Sequence, residues 1–288
     1  MTDITQTRGK LLVIGGAEDH EGECVILKEF VKLAKGPRAR IVVMTVATDH
    51  PEESFADYKK VFQKMGVDDV KLVDVSARED ADSVRGAELL EEATGVFFTG
   101  GDQLHITSLL GGTPLHEILH KRLEKGLVLA GTSAGAAMMS NSMFIRGRSE
   151  DTPRFGGMEL GPGMDFLRGA LIDTHFSQRG RIGRLLTAVA HYPQDLGFGV
   201  DENTAMIVHG QQFEVIGEGS VTVVDAGDIT YTNLPDIDDG EAIALYNVKL
   251  HVLPAGHRFD LGERKPVSNQ ESHADKNKRA KSKGSSKE

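Results

Sequence analysis

The most restrictive feature of this sequence is a series of short apolar runs, each closing on a small or polar residue and each followed by a helix-length segment. Leu11–Gly16, Arg40–Thr48, Val70–Val75 and Val96–Gly101 are β-branched or apolar runs that end in Gly, Thr or a similar breaker. Glu23–Ala34, Glu52–Met65 and Ala81–Glu92 carry helical spacing between them. Strands that read as near-continuous apolar runs are buried on both faces, and parallel strands need crossover helices, so the alternation predicts a mostly parallel sheet with helices on both faces. A helix over Pro114–Lys125 and a strand over Leu127–Gly131 extend the series. Strands at Ala170–His175 and Leu196–Val200 follow, with a helix from about Gln178 to His191 between them. After Glu202 the pattern changes to Thr204–Val208, Gln212–Ile216 and Thr222–Val224, punctuated by Gly210, Gly217, Gly219 and Gly227. These predict antiparallel edge strands added to the same sheet. No internal repeat is present.

Several function classes fall away on composition. No apolar run approaches the ~20 residues of a membrane span, and Met1–Lys10 lacks the apolar centre of a secretion signal, so no membrane partner is expected. The single cysteine, Cys24, excludes an intrachain disulfide and a cysteine-cluster metal site, and points to a reducing, cytoplasmic setting. Net charge is −10, but from Arg264 to Glu288 eight basic and three acidic residues make a local +5, which leaves −15 on the rest. An acidic body weighs against nucleic acid as a principal partner and favours cationic ligands. Residues 264–288 lack the apolar side chains needed to offset the entropy of ordering, so the expectation is one α/β catalytic domain over 1–263 and a basic, disordered tail.

Gly131-Thr132-Ser133-Ala134-Gly135 follows a predicted strand and opens a short helix. A sharp strand-to-helix turn lifts the Ser133 hydroxyl clear of a sheet, and the helix start turns free N–H groups toward a developing oxyanion. Serine at its ordinary pKa needs a base. Among 11 histidines, His175 stands out because it ends an apolar strand, and strand C-termini converge on the ligand-binding edge of a doubly wound sheet. His20, His50, His105, His116, His120, His191 and His209 fall on helices, loops or edge strands and read as structural or solvated. Two carboxylates compete to orient His175: Glu202, which follows the next strand, and Asp173, two residues before the histidine; Asp201 should face away. Gly100-Gly101-Asp102-Gln103 ends another strand, where the Gly101 N–H would join that of Ala134 in an oxyanion hole while Asp102 caps a helix.

Arg179, Arg181 and Arg184 lie within six residues at a helix start, a poor position for cations unless an anion compensates them. A substrate carboxylate is the expected anion. Gly15-Gly16-Ala17-Glu18-Asp19 lacks the spacing of a dinucleotide fingerprint, and its two acids would repel a pyrophosphate, so no nucleotide or other cofactor is expected.

These same residues carry a resemblance. Ile14–Asp19, Phe98–Gln103, Gly131–Ala136, Asp173–Arg181 with Arg184, and Gly199–Asn203, in this order over about 190 residues, resemble the cyanophycinases, of the serine peptidase family that also contains aspartyl dipeptidases. The resemblance implies a flavodoxin-like core related to class I glutamine amidotransferases, a homodimer and no metal. It further implies hydrolysis of cyanophycin, a poly-aspartate whose side chains carry arginine, with release of β-Asp-Arg through an acyl-enzyme. Ser133 would be nucleophile, His175 base and acid, Glu202 orienter. Gln103, Asp173, Thr174, Arg179, Arg181 and Arg184 would bind substrate carboxylates and guanidinium. Thr174 departs from the longer polar residue expected there. The alternatives are an aspartyl dipeptidase of the same family and a non-catalytic ligand-binding module.

Overall fold

The computed structural model describes residues 8–147 and 152–268. The first half alternates strand and helix: β1 (Lys10–Ile14), α1 (Val25–Leu33), β2 (Arg40–Met44), α2 (Pro51–Lys64), β3 (Asp69–Val73), α3 (Val84–Glu92), β4 (Gly95–Phe98), α4 (Gln103–Leu110), α5 (Pro114–Glu124), β5 (Val128–Thr132) and the single turn α6 (Ala134–Ala137). The five strands pair in parallel in the order β1-β5-β4-β2-β3. Read from β3, this is the doubly wound order of flavodoxin-like sheets with its last place taken by β1.

Alternation along each strand feeds two cores. Leu11 and Val13 of β1, Val42 and Met44 of β2, and Val96 and Phe98 of β4 enter one cluster. Their neighbours Leu12, Ile14, Ile41, Val43 and Phe97 enter another, with Ile26, Leu27 and Phe30 of α1 and Tyr58, Val61 and Phe62 of α2. The connections through α1 and α2 run toward β3, and those through α3, α4 and α5 run back. Right-handed crossovers therefore put the two sets on opposite faces, and Leu90, Ile106, Leu110, Leu115 and Leu119 accordingly pack in the first cluster. Helix ends follow local chemistry. Pro51 and Pro114 open α2 and α5, Asp102 and Thr113 cap α4 and α5 with their side chains, and Gly66 and Gly126 stop α2 and α5 at positive φ.

The second half departs from a single extended sheet. β6 (Ser142–Gly147) and β7 (Met158–Pro162) form a hairpin, followed by β8 (Ala170–Thr174), α7 (Ile182–His191), β9 (Leu196–Val200), β10 (Thr204–His209), β11 (Gln212–Gly217), β12 (Ser220–Asp225), β13 (Tyr231–Thr232), β14 (Leu245–Tyr246), β15 (Lys249–Pro254), β16 (Arg258–Asp260) and β17 (Lys265–Pro266). β10, β11, β16 and β17 continue the main sheet antiparallel beyond β1, as expected of edge strands. β8 and β9, parallel to each other, instead join β12 and β15 in a separate four-stranded sheet. The reason is occupancy of the edge: β10 fills the free side of β1, with Leu11 opposite Val208 and Ile14 opposite Ala205. Thr222–Val224 therefore belongs to this second sheet, not to the first. Ile172, Phe198 and Val200 pack inward against the main core, while Leu171 and Phe176 face Leu185 and Val189 of α7.

Of the stretch set apart as a tail, residues 264–268 take part in the fold. Lys265–Pro266 pairs with β16, and Arg264 donates to Asp225 at 2.6 Å. Residues 269–288 lie outside the described residues. Among the described residues no helix is long and apolar enough to cross a membrane, and no three His, Cys, Asp or Glu are grouped to hold a metal ion.

Candidate active site

Ser133 sits between β5 and α6 at φ 52° and ψ −110°, in a region that costs a non-glycine residue about 1–3 kcal/mol. His175, just past β8, is also at positive φ, 49°. Both strained backbones are held by the loop after β1. Ser133 N–H donates to the Ile14 carbonyl at 3.0 Å, His175 N–H to that of Gly15 at 2.8 Å, and Asn203 N–H to that of Gly16 at 2.8 Å. Three successive carbonyls thus fix one residue from each of three distant segments. Gly16 is required there: its φ is +101°, and a Cβ on it would stand 2.3 Å from His175 Cε1.

The side chains complete a relay. Ser133 Oγ lies 2.8 Å from His175 Nε2, and His175 Nδ1 lies 2.7 Å from Glu202 Oε1. With Glu202 accepting from Nδ1–H, the ring presents its Nε2 lone pair to the serine hydroxyl. Glu202 is itself steadied by its N–H, which donates to Gln178 Oε1 at 3.0 Å. Asp201 faces away, as expected, and accepts from the N–H and hydroxyl of both Ser177 and Ser220. Gly101 and Ala134 line one cavity with Ser133, and among the described residues neither N–H finds a protein acceptor. Asp102 caps α4 by accepting from the Leu104 N–H at 2.8 Å.

Asp173 does not compete for the imidazole. Its buried carboxylate accepts from Arg184 Nε at 2.6 Å and from a terminal nitrogen of Arg184, and it accepts from Arg181 at 3.2 Å. The anion that the arginine run needs is therefore supplied in part by the protein, one strand away. Arg184 also lies with its guanidinium carbon 4.9 Å from the centre of the Phe144 ring. Burial, opposed by Asp173 and aided by Arg184 and Arg179, pushes the Arg181 guanidinium down to about 10. Arg179 is exposed. Thr174 accepts from Arg181 through its carbonyl, and Gln103 Nε2 donates to the Phe144 carbonyl at 2.7 Å. All six predicted binding residues line the cavity of about 310 Å³ in front of Ser133. So does Arg146 of the hairpin, which the sequence does not single out because its hairpin strand lies outside the parallel strand series and closes on no motif. Four arginines against one aspartate leave this cavity strongly positive.

Residues 11–216 match the profile of Peptidase family S51. The chain is 39% identical to a cyanophycinase of Trichormus variabilis over 260 residues, 90% of this chain and 87% of that one. It is 37% identical to a cyanophycinase of Geminocystis herdmanii over 263 residues, 91% of this chain and 97% of that one. A solved peptidase from an acI-B1 Actinobacterium superposes with a TM-score of 0.64 at 20% identity, covering 88% of this chain and 96% of that one, a likeness of fold.

Proposed function

The chain belongs to peptidase family S51, and on that premise we propose that it hydrolyses the backbone amides of cyanophycin from the polymer's C-terminal end, releasing β-Asp-Arg. The observation that carries this reading is the Ser133–His175–Glu202 relay opening onto an arginine-lined cavity. Ser133 Oγ attacks the amide carbon as His175 Nε2 takes its proton. The carbonyl oxygen, now negative, accepts from the Gly101 and Ala134 N–H groups. The imidazolium, stabilised by Glu202, protonates the departing amine, and the C–N bond breaks to leave an acyl-Ser133 ester. Water then gives its proton to His175, attacks the ester and frees the serine.

The positive cavity suits the carboxylate of a substrate unit. Arg179, Arg181, Arg184, Gln103 and Thr174 supply donors and shape, and Asp173 holds two of the arginines in place. A homodimer as assembly and the cytoplasm as setting belong to the same proposal, carried by the family resemblance. The test is clearing of insoluble cyanophycin by the purified protein, with soluble products identified by mass and Ser133→Ala alongside. Release of β-Asp-Arg by the wild type alone is expected. Absence of release from folded wild type would sink the reading, and cleavage of Asp-X dipeptides in its place would favour a dipeptidase.

A further inference from the structure

Glu18 lies just past the Ile14–Gly16 segment and is buried. Its carboxylate accepts one bond from the Tyr58 hydroxyl of α2 at 2.5 Å and one from the Thr132 hydroxyl at 2.5 Å, and His20 Nε2 approaches it to 3.6 Å. Burial alone would raise the Glu18 pKa, but the approach of His20 and the Thr132 and Tyr58 bonds outweigh it and hold the carboxyl below its usual range. Glu18 in turn raises the His20 pKa, against the opposing effect of burial. The loop after β1 thus carries a buried anion with its own cationic partner, and the two hydroxyls it binds come from β5 and α2. Desolvating a carboxylate costs much of what its partners return, so a plain gain in stability does not account for it.

Thr132 is the residue before Ser133. It closes β5 opposite Ile14 of β1, and the chain then enters the φ 52°, ψ −110° of Ser133. Such a conformation persists only where its surroundings over-determine it. One restraint is the bond from the Ser133 N–H to the Ile14 carbonyl. Packing around the turn is incomplete, because a cavity of about 370 Å³ opens beside it between Tyr58, Gly100 and His175. The bond from Thr132 to Glu18 supplies the second restraint there. His175 is held separately, by Gly15 through its N–H and by Glu202 through its ring. Glu18, Tyr58 and Thr132 are not among the residues that wall the arginine-lined cavity.

We infer that Glu18 is a positioning residue for the Ser133 turn: through the Thr132 hydroxyl it fixes the residue before the strained one, as Ile14 fixes the strained one itself. Released from Glu18, Thr132 lets the Ser133 backbone relax, and Ser133 Oγ leaves its 2.8 Å contact with His175 Nε2. The loss falls on the chemical step. Binding, which the proposed function assigns to the arginine-lined cavity, is untouched. The inference rests on that function for the role of Ser133 and deepens it.

The test compares Thr132→Val, which removes the hydroxyl at nearly constant volume, with Thr132→Ser, which keeps it. Two rates are read in each: turnover of a soluble β-Asp-Arg trimer, and phosphonylation by a fluorophosphonate. In the second, the Ser133 oxygen bonds to phosphorus, fluoride leaves and His175 takes the serine proton, so the reagent reads the serine whatever the natural substrate is. Thr132→Val should slow both by about 10-fold or more, the range for a lost hydrogen bond to a charged partner, with KM unchanged. Thr132→Ser should restore both. Glu18→Gln should slow both rates in an otherwise wild-type chain and add little in Thr132→Val, as expected of two residues that act as a unit. Should the buried Glu18 variant fail to fold, the Thr132 pair decides. Equal rates in Thr132→Val and wild type overturn the inference, and so does a Thr132→Ser as slow as Thr132→Val. A loss carried by KM overturns it, as does a smaller folded fraction with the rate per folded molecule intact. A folded Glu18→Gln whose effect is undiminished in Thr132→Val overturns it too. A wild type labelled at Ser133 but inert toward trimer and cyanophycin sinks the proposed substrate, and the labelling rates then decide the inference. A wild type neither labelled nor active overturns both.

Discussion

The parallel half of the main sheet and the separate four-stranded sheet contribute different things to one site. The first supplies the Ser133 turn, at the end of β5, in a setting buried on both faces and braced by helices α1 to α5. The second supplies His175 after β8 and Glu202 after β9, in a layer backed by α7 and by ionic contacts such as Asp173 with Arg181 and Arg184. The relay therefore crosses a seam between two sheets that share no ladder hydrogen bond. What spans the seam is the Ile14–Gly16 segment, whose carbonyls take N–H groups from both sides. The difference teaches that the rigid half sets where Ser133 is, while the second sheet sets whether His175 reaches it.

Breaking the seam should have the largest effect. In Gly16→Ala the new methyl would lie 2.3 Å from His175 Cε1 and 2.5 Å from Nε2, on a backbone at φ +101°. The ring must turn away from Ser133, and kcat should fall by about 10³-fold or more, the order expected when a base is withdrawn. Thermal unfolding should move far less, since the core clusters are untouched. A variant with near wild-type kcat would show that the seam is not set by this contact.

The second sheet is tested by Asp173→Ala. It leaves Arg184 and Arg181 without their shared carboxylate in a nearly closed site. Removing one partner of a buried pair costs about 3–5 kcal/mol. Urea unfolding should register that loss, and activity should drop through a rise in KM as the arginines move. Asp173→Asn keeps the shape and one acceptor, and should recover part of the stability.

The unequal legibility of the two halves has the same origin. β1, β2, β4 and β5 are buried on both sides, so residues such as Leu12-Val13-Ile14 announce themselves as continuous apolar runs. Ser133, His175 and Glu202 were legible because each closes such a run. The seam was not legible: nothing in Ala170–Thr174 or Leu196–Val200 tells which partner strand waits, and the answer depends on β10 occupying the edge of β1, a competition between distant segments. Asp173 read as a candidate orienter because spacing cannot show that Arg184, eleven residues on, already holds it. In the sequence Glu18 shows only as a residue hostile to pyrophosphate. Its link to Thr132 joins positions 114 residues apart and is created by the β1–β5 pairing.

A smaller effect should come from Asp201, which ties the turn after His175 to the start of β12. Its carboxylate accepts from Ser177 N–H at 3.1 Å, from Ser220 N–H at 3.0 Å and from both serine hydroxyls. Asp201→Ala should lower stability by about 2 kcal/mol, because the two N–H groups lose a buried, charged acceptor. With Glu202 beside it, kcat should fall modestly, by less than the Gly16 variant. A loss of activity equal to that of Gly16→Ala would mean that the second sheet, not the β1 loop, governs the approach of His175.

The mildest prediction concerns the far end of the β1 loop in acid. Asp19 accepts from the N–H groups of Cys24, Gly22 and Glu21, in that order of influence, and these bonds bring its pKa from the ordinary 3.8 to about 2. A carboxyl depressed on folding contributes stability above its unfolded value and loses it as pH falls through the folded one. This contribution should therefore be intact above about pH 4 and vanish as pH approaches about 2. Asp19→Asn should flatten that part of the curve of urea midpoint against pH while leaving the slope nearer neutrality unchanged. Because Asp19 N–H also donates to Asn203 Oδ1 at 3.0 Å, the same acid step should loosen the loop that borders Glu202. An unaltered acid limb in the variant would show that the loop draws its order from the seam and not from this carboxylate.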